Sequence, residues 1–300
     1  MKEKSMTAMV SAFSRAYHTQ NNSHKIFNDP VAKILLGEED YQEISRNMAN
    51  GIPFFYPSFQ GSEEEALRWI VDNKLSASPL GRAAFAEKAL QGASLLGTQQ
   101  YIVLAAGLDS FAYRQPDWAR KLHIFELDHP ATAKDKQERL ERGEVEIPDN
   151  IRYIHVDFQQ KDWISPLREN NYFDKNKISF CSMLGLLYYL PREDFETMLV
   201  SLGDLLPKGS SLVFDYPSKD EESTQTNQLQ QLAQGAKEPM LANYSYGEME
   251  QILCDCGFLI YEHLAPQEIT VQFFSEYNTH NPNHKMKAAD NVNYCLAIKK

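Results

Sequence analysis

Cysteine is scarce, long apolar runs are missing and positive charge is in deficit, and each shortage removes a class of function. Cys181, Cys254, Cys256 and Cys295 are few for 300 residues, and three lie in or beside apolar segments, which fits reduced thiols rather than a disulfide framework. The C-x-C pair Cys254 and Cys256 with nearby His263 lacks the further ligands a metal centre needs; core and helix-end cysteines explain it, and no metal site is expected. The longest nearly unbroken apolar run, residues 178–190, includes Ser and Gly and is too short to span a bilayer. A positive N-terminus without an apolar stretch behind it argues against a secretory signal, so a cytoplasmic location is expected. The formal charge of −11 repels nucleic acid and anionic membranes, and no basic run relieves it.

What remains is a chain that is 43% hydrophobic, enough to bury a sizeable core. Residues 1–95 lack strands and read as a helical cover integral to the fold, with Asp29-Pro30 predicting a helix that has Pro at its first position. From residue 96 to 300, apolar runs alternate with helical patterns: 101–105, 122–128, 151–158, 178–190 and 210–217 read as strands. That rhythm predicts a doubly wound, mostly parallel α/β sheet. Phe195, Met198, Leu199, Leu202, Leu205 and Leu206 form one helical stripe after the fourth strand. Two further β-like runs, FLIYEHL and NVNYCLAIKK, end the chain, with a helix expected at TVQFFSEY between them. A polar, Gln-rich stretch within 219–240 reads as a lid or a loose insertion.

The chain is organised around residues 101–118, which predict a buried strand that breaks at Gly107 and re-emerges as a helix over the ligand-binding crevice. A dinucleotide site wants three glycines there, and Ala105, Gly107 and Ser110 supply one. A pyrophosphate is therefore disfavoured, and a nucleoside without phosphate, such as S-adenosyl-L-methionine, suits the site. Asp128 lies 21 residues past Gly107 at the end of the next strand. On spacing alone it is either an acceptor for two ribose hydroxyls or an ordinary strand-end acid. Asp157 with Phe158 is either an adenine subsite or a turn-starting Asp beside a core Phe.

Here the motifs converge. LAAGLDSFAYR resembles the GAGLDTRAYR-type signature of the leucine carboxyl methyltransferase family, which includes bacterial S-adenosylmethionine-dependent O-methyltransferases acting on small acids and polyketides. SRAYH, IFNDPVA, FELDHP, HVDF, GLLYYLPREDF and LLPKGSSLVFDYP extend the likeness over most of the chain. The resemblance implies a class I methyltransferase (Rossmann-like) seven-stranded sheet with an N-terminal helical cover and a lid. It also implies Arg82 on the methionine carboxylate, Ala105 and Gly107 beneath the cofactor, Asp128 on the ribose, and Asp157 with Phe158 around the adenine. From the residues alone, Arg82 reads more readily as a surface arginine on a helix than as a ligand-binding one. Asp109 and Arg114 are expected to brace the loop after the first strand, Tyr188 to fill core, and Tyr189 to orient a substrate oxygen.

Four departures from the family pattern stand out: Ala105 replaces a glycine, Ser110-Phe111 a Thr-Arg pair, Leu184 an acid near the cofactor, and Gln159 an arginine that grips a protein C-terminus. The expected function is methyl transfer, with a small organic acid or phenol-type acceptor oriented by Tyr189 and Gln159. A cofactor-binding sensor with weakened turnover and a nicotinamide-dependent oxidoreductase are the rival readings.

Overall fold

A computed structural model describes residues 5–219 and 241–300. The expected lid at 219–240 therefore lies, apart from Lys219, outside the described residues. Seven strands form one sheet in the order β3-β2-β1-β4-β5-β7-β6. They are β1 (Gln100–Leu104), β2 (His123–Asp128), β3 (Ile151–His155), β4 (Ser179–Met183), β5 (Ser211–Pro217), β6 (Phe258–Leu264) and β7 (Val292–Lys299). The first five run parallel, and β7 enters antiparallel between β5 and β6. Strand order reverses between β1 and β4, which opens a crevice at their carboxyl ends.

Alternation along the strands divides the core between the two faces of the sheet. Ile102, Leu104, Cys181, Met183, Leu212 and Phe214 pack against α9 (Arg192–Leu205), which follows α7 (Pro130–Arg142) and α8 (Ser165–Arg168) in the chain, and against α10 (Tyr246–Asp255). The predicted stripe on α9 is the surface that docks there; Leu199 and Leu202 are fully buried, each stabilising by roughly 1.5–3 kcal/mol. Tyr101, Val103, Phe180 and Val213 face the other way, onto Leu80, Phe85, Ala86 and Leu90 of α6 (Ala77–Leu95).

The N-terminal segment is helical, as its pattern predicts: α1 (Met6–Asn21), α2 (Ala32–Leu36), α3 (Glu38–Asn50), α4 (Ile52–Phe55) and α5 (Glu63–Ile70). Phe13, Tyr17, Tyr41, Ile44 and Val71 build a core of their own, and Leu108 from the turn after β1 inserts into it. This contact sets the cover over the crevice. Among the described residues no helix is long and apolar enough to cross a membrane.

Three local expectations are corrected. The helix expected after Gly107 is two 3-10 turns, Phe111–Tyr113 and Asp117–Lys121. Asp109 Oδ1 accepts the Phe111 N–H at 2.9 Å, and Pro116 restricts the backbone before it, so a regular helix cannot propagate. Residues 178–190 are not one strand: β4 stops at Met183, Gly185 turns at φ 69°, and Leu187–Tyr189 is a 3-10 turn. Pro30 stands in a turn ahead of α2, while Asp29 Oδ1 accepts the N–H of Ala32, the first residue of that helix, at 3.0 Å.

Candidate active site

A cavity of about 410 Å³ sits at the carboxyl ends of β1, β2 and β4, roofed by α1 and flanked by α6. Its floor is the turn from Ala105 to Asp109. Ala105 (φ 51°) and Gly107 (φ 48°) both adopt left-handed backbone there. The Gly107 N–H donates to Asp128 Oδ2 at 2.6 Å, and the His129 N–H donates to Asp128 Oδ1 at 2.7 Å. Two backbone donors thus fix the carboxylate at the cavity wall. Burial raises the Asp128 pKa, against the pull of those two hydrogen bonds.

Arg82 enters from α6. Its Nη1 pairs with Asp215 Oδ2 at 3.2 Å and its Nη2 donates to Ser11 Oγ of α1 at 3.2 Å. Burial would lower the guanidinium pKa, but the Asp215 carboxylate outweighs it and the net shift is upward. Asp215 itself is fully buried on β5, where it also accepts the Gly185 N–H at 2.6 Å and the Tyr188 hydroxyl at 2.9 Å. Tyr188 is accordingly buried but not mere filler. Tyr189 and Leu184 line the cavity from the loop after β4.

A second charged cluster braces the cover. Asp29, nearly fully buried, accepts Arg15 Nε at 2.8 Å and the Ser110 hydroxyl at 2.6 Å, while Arg114 pairs with Glu87. Burial would raise the Asp29 pKa, but Arg15 and Arg114 hold it below the ordinary carboxylate value. Arg15 Nη2 also donates to the Leu108 carbonyl at 2.7 Å, tying α1 to the turn after β1. Arg114 and Asp109 do brace this loop, as expected.

Of the residues picked out by sequence, Arg82, Ala105, Gly107, Asp128 and Tyr189 share this one cavity. Asp157, Phe158 and Gln159 are not on its lining. Asp157 Oδ1 accepts the Gln159 N–H at 3.1 Å in a local turn, and the Phe158 ring packs on Trp163 with centroids 5.2 Å apart. Sequence reading missed Asp215, Ser11 and Arg15. Asp215 did leave a signal: an acid flanked by Phe214 and Tyr216 in a buried strand demands a partner.

The antiparallel β7, the reversal at β1 and β4, and a cavity at that reversal define the class I S-adenosylmethionine-dependent methyltransferase fold. A crystal structure of a DUF574 family protein from Streptomyces avermitilis aligns over 97% of both chains with a TM-score of 0.59 at 13% identity. A provisionally named methyltransferase from Thermobifida fusca gives a TM-score of 0.56 at 12% identity, over 99% of this chain and 96% of its own. Both share the fold. The sequence model of the family described as leucine carboxyl methyltransferase matches residues 8–202, and the chain belongs to that family. It is 36% identical, over 99% of each chain, to a Bacillus subtilis (strain 168) protein provisionally named S-adenosyl-L-methionine-dependent methyltransferase YktD. A Mycobacterium marinum protein with the same provisional class name is 30% identical over 76% of this chain and 70% of its own. The chain is thus an S-adenosylmethionine-dependent methyltransferase, and the oxidoreductase and sensor readings are not favoured.

Proposed function

We propose that the protein transfers a methyl group from S-adenosyl-L-methionine to an oxygen of a small organic molecule, a phenol-type or acidic metabolite. The observation that carries this reading is the donor and acceptor set in one cavity: a fixed carboxylate at Asp128, a guanidinium at Arg82, and the Tyr189 phenol. These fit the ribose hydroxyls, the methionine carboxylate and a substrate oxygen in turn. The cavity's size is also within the range that encloses a small ligand. When bound, the cofactor supplies a methyl already activated by its sulfonium.

The protein's own task is then to bind, orient and exclude water. Asp128 accepts from hydroxyl donors without moving, because backbone amides hold both its oxygens. Arg82 has five N–H donors, and Asp215 and Ser11 engage two of its nitrogens, which leaves donors for a ligand carboxylate. The cover takes part through Thr7, Ala8 and Ser11 of α1, which close the cavity from above. Holding two reactants in line contributes on the order of 7–11 kcal/mol, so positioning suffices without a dedicated base when the acceptor oxygen is already ionised.

The charge pattern supports a small acceptor over a protein C-terminus. Each lining guanidinium has an acidic partner: Arg15 with Asp29, Arg82 with Asp215, Arg114 with Glu87. Gln159, where the protein-carboxyl enzymes carry arginine, offers no charge-assisted fork and stands off the lining. The test is S-adenosylhomocysteine release with panels of small phenols, small acids and peptides bearing free C-termini. Turnover is expected with the small molecules. Efficient methylation of a peptide C-terminus, with phenols and small acids inert, overturns the reading.

A further inference from the structure

We propose that Asp215 is the positioning residue that holds Arg82 in the cavity, so that the guanidinium meets the methionine carboxylate in one fixed orientation. This rests on the reading above that the cavity takes S-adenosylmethionine. Asp215 does not line the cavity and has no exposed surface, so it acts only through what it holds. A carboxylate buried in a strand is costly unless it is fully engaged. Its three donors come from the cavity's own walls: Gly185 N–H and Tyr188 hydroxyl from the loop after β4, and Arg82 Nη1 from α6.

Gly185 shows how closely the guanidinium is confined. A Cβ on that residue would stand 2.5 Å from Arg82 Nη1 and 2.7 Å from both Cζ and Nη2, so Arg82 fills the volume a side chain would need. The Gly185 φ of 69° is also costly for any other residue. Ser11 Oγ on α1 takes Nη2. The guanidinium is therefore held by β5 behind it, Gly185 against it and α1 at its far nitrogen. Such a side chain loses little freedom when a ligand arrives, and that preorganisation is what Asp215 contributes.

The decisive comparison is between S-adenosylhomocysteine and 5′-methylthioadenosine, which keeps the nucleoside and thioether but has no amino-acid group. Calorimetry on Asp215→Asn should show roughly tenfold or more loss of S-adenosylhomocysteine affinity, with 5′-methylthioadenosine affinity changed by less than about threefold. In an Arg82→Met background, adding Asp215→Asn should change S-adenosylhomocysteine affinity by less than about twofold, because the two residues act as a unit. Tyr188→Phe removes a single bond to Asp215 and tests the same point in a gentler variant, with a selective loss of about threefold expected. Equal loss of both ligands, or unchanged S-adenosylhomocysteine affinity in a folded Asp215→Asn or Tyr188→Phe protein, overturns the proposal. If the wild-type protein binds neither ligand, the cofactor reading falls and takes this one with it.

Discussion

Two corners of the crevice are built by the same device and put it to different ends. After β1, Gly107 turns with φ 48° and its N–H donates at 2.6 Å to Asp128 on the neighbouring β2. After β4, Gly185 turns with φ 69° and its N–H donates at 2.6 Å to Asp215 on the neighbouring β5. In both, a left-handed glycine lets the backbone amide reach sideways to an acid one strand over. The acids differ in what remains for them. Asp128 has a second backbone donor and stands on the cavity wall; Asp215 is sealed inside and committed to Arg82 and Tyr188. One corner leaves its carboxylate facing the cavity, and the other uses its carboxylate to hold the cation that faces it.

The comparison breaks first at stability. Asp215→Ala leaves Arg82, which can be rehydrated from the cavity, without its carboxylate, and strands the buried Tyr188 hydroxyl and the Gly185 N–H, so unfolding free energy should drop by about 2–3 kcal/mol in urea titration. Asp128→Ala, whose orphaned amides adjoin the cavity and can be rehydrated, should lose only about 1 kcal/mol. Comparable losses at both corners would refute the distinction. The second effect runs the other way: Asp128→Ala should weaken S-adenosylhomocysteine binding by about 1.5–3 kcal/mol, ten- to a hundredfold, because an ionised acceptor to two hydroxyls is gone. Unchanged affinity in calorimetry would remove Asp128 from the site.

The same contrast explains what the sequence made legible. Gly107 and Asp128 are 21 residues apart, within one strand-to-strand step, so spacing found them. Asp215 follows Gly185 and Tyr188 by a comparable step of 30 and 27 residues, but Arg82, the partner that gives it a purpose, is 133 residues away, and no local motif reports that separation. The strand alternation and the α9 stripe were readable because periodicity follows from burial on one face. The end of β4 was not, because Leu186, Leu187 and Tyr188 continue the apolar run through a 3-10 turn, and hydrophobicity alone does not distinguish the two. Only Gly185 marked the break.

A smaller effect is expected at Tyr189, the phenol nearest in sequence to the second corner that lines the cavity. Tyr189→Phe removes one neutral hydrogen bond to the acceptor, worth about 0.5–1.5 kcal/mol, so turnover should slow roughly two- to tenfold. S-adenosylhomocysteine affinity should stay within about twofold. A variant that loses both together would place Tyr189 with the cofactor instead of the substrate.

The smallest prediction separates the corners by backbone strain alone. Ala105 sits at φ 51° in the first turn, a conformation that costs an L-residue roughly 1–2 kcal/mol. Ala105→Gly removes that strain but adds about 0.4–1 kcal/mol of unfolded-state entropy, so the net gain should be near 0.5–1 kcal/mol, a rise of about 1–3 °C in the thermal midpoint. At Gly107 the reverse change is limited in the same way, since an added Cβ would find its nearest neighbour, Ala8 Cβ, at an ordinary 3.5 Å. Gly107→Ala should therefore lose only about 0.5–1 kcal/mol, strain less the unfolded-state entropy it removes. At Gly185 the strain is compounded by collision with Arg82, so Gly185→Ala must cost more than Gly107→Ala and must also disturb the guanidinium. If the two glycine variants melt together, or Ala105→Gly lowers the midpoint, then backbone strain and the space beside Arg82 do not govern these turns as their geometry requires.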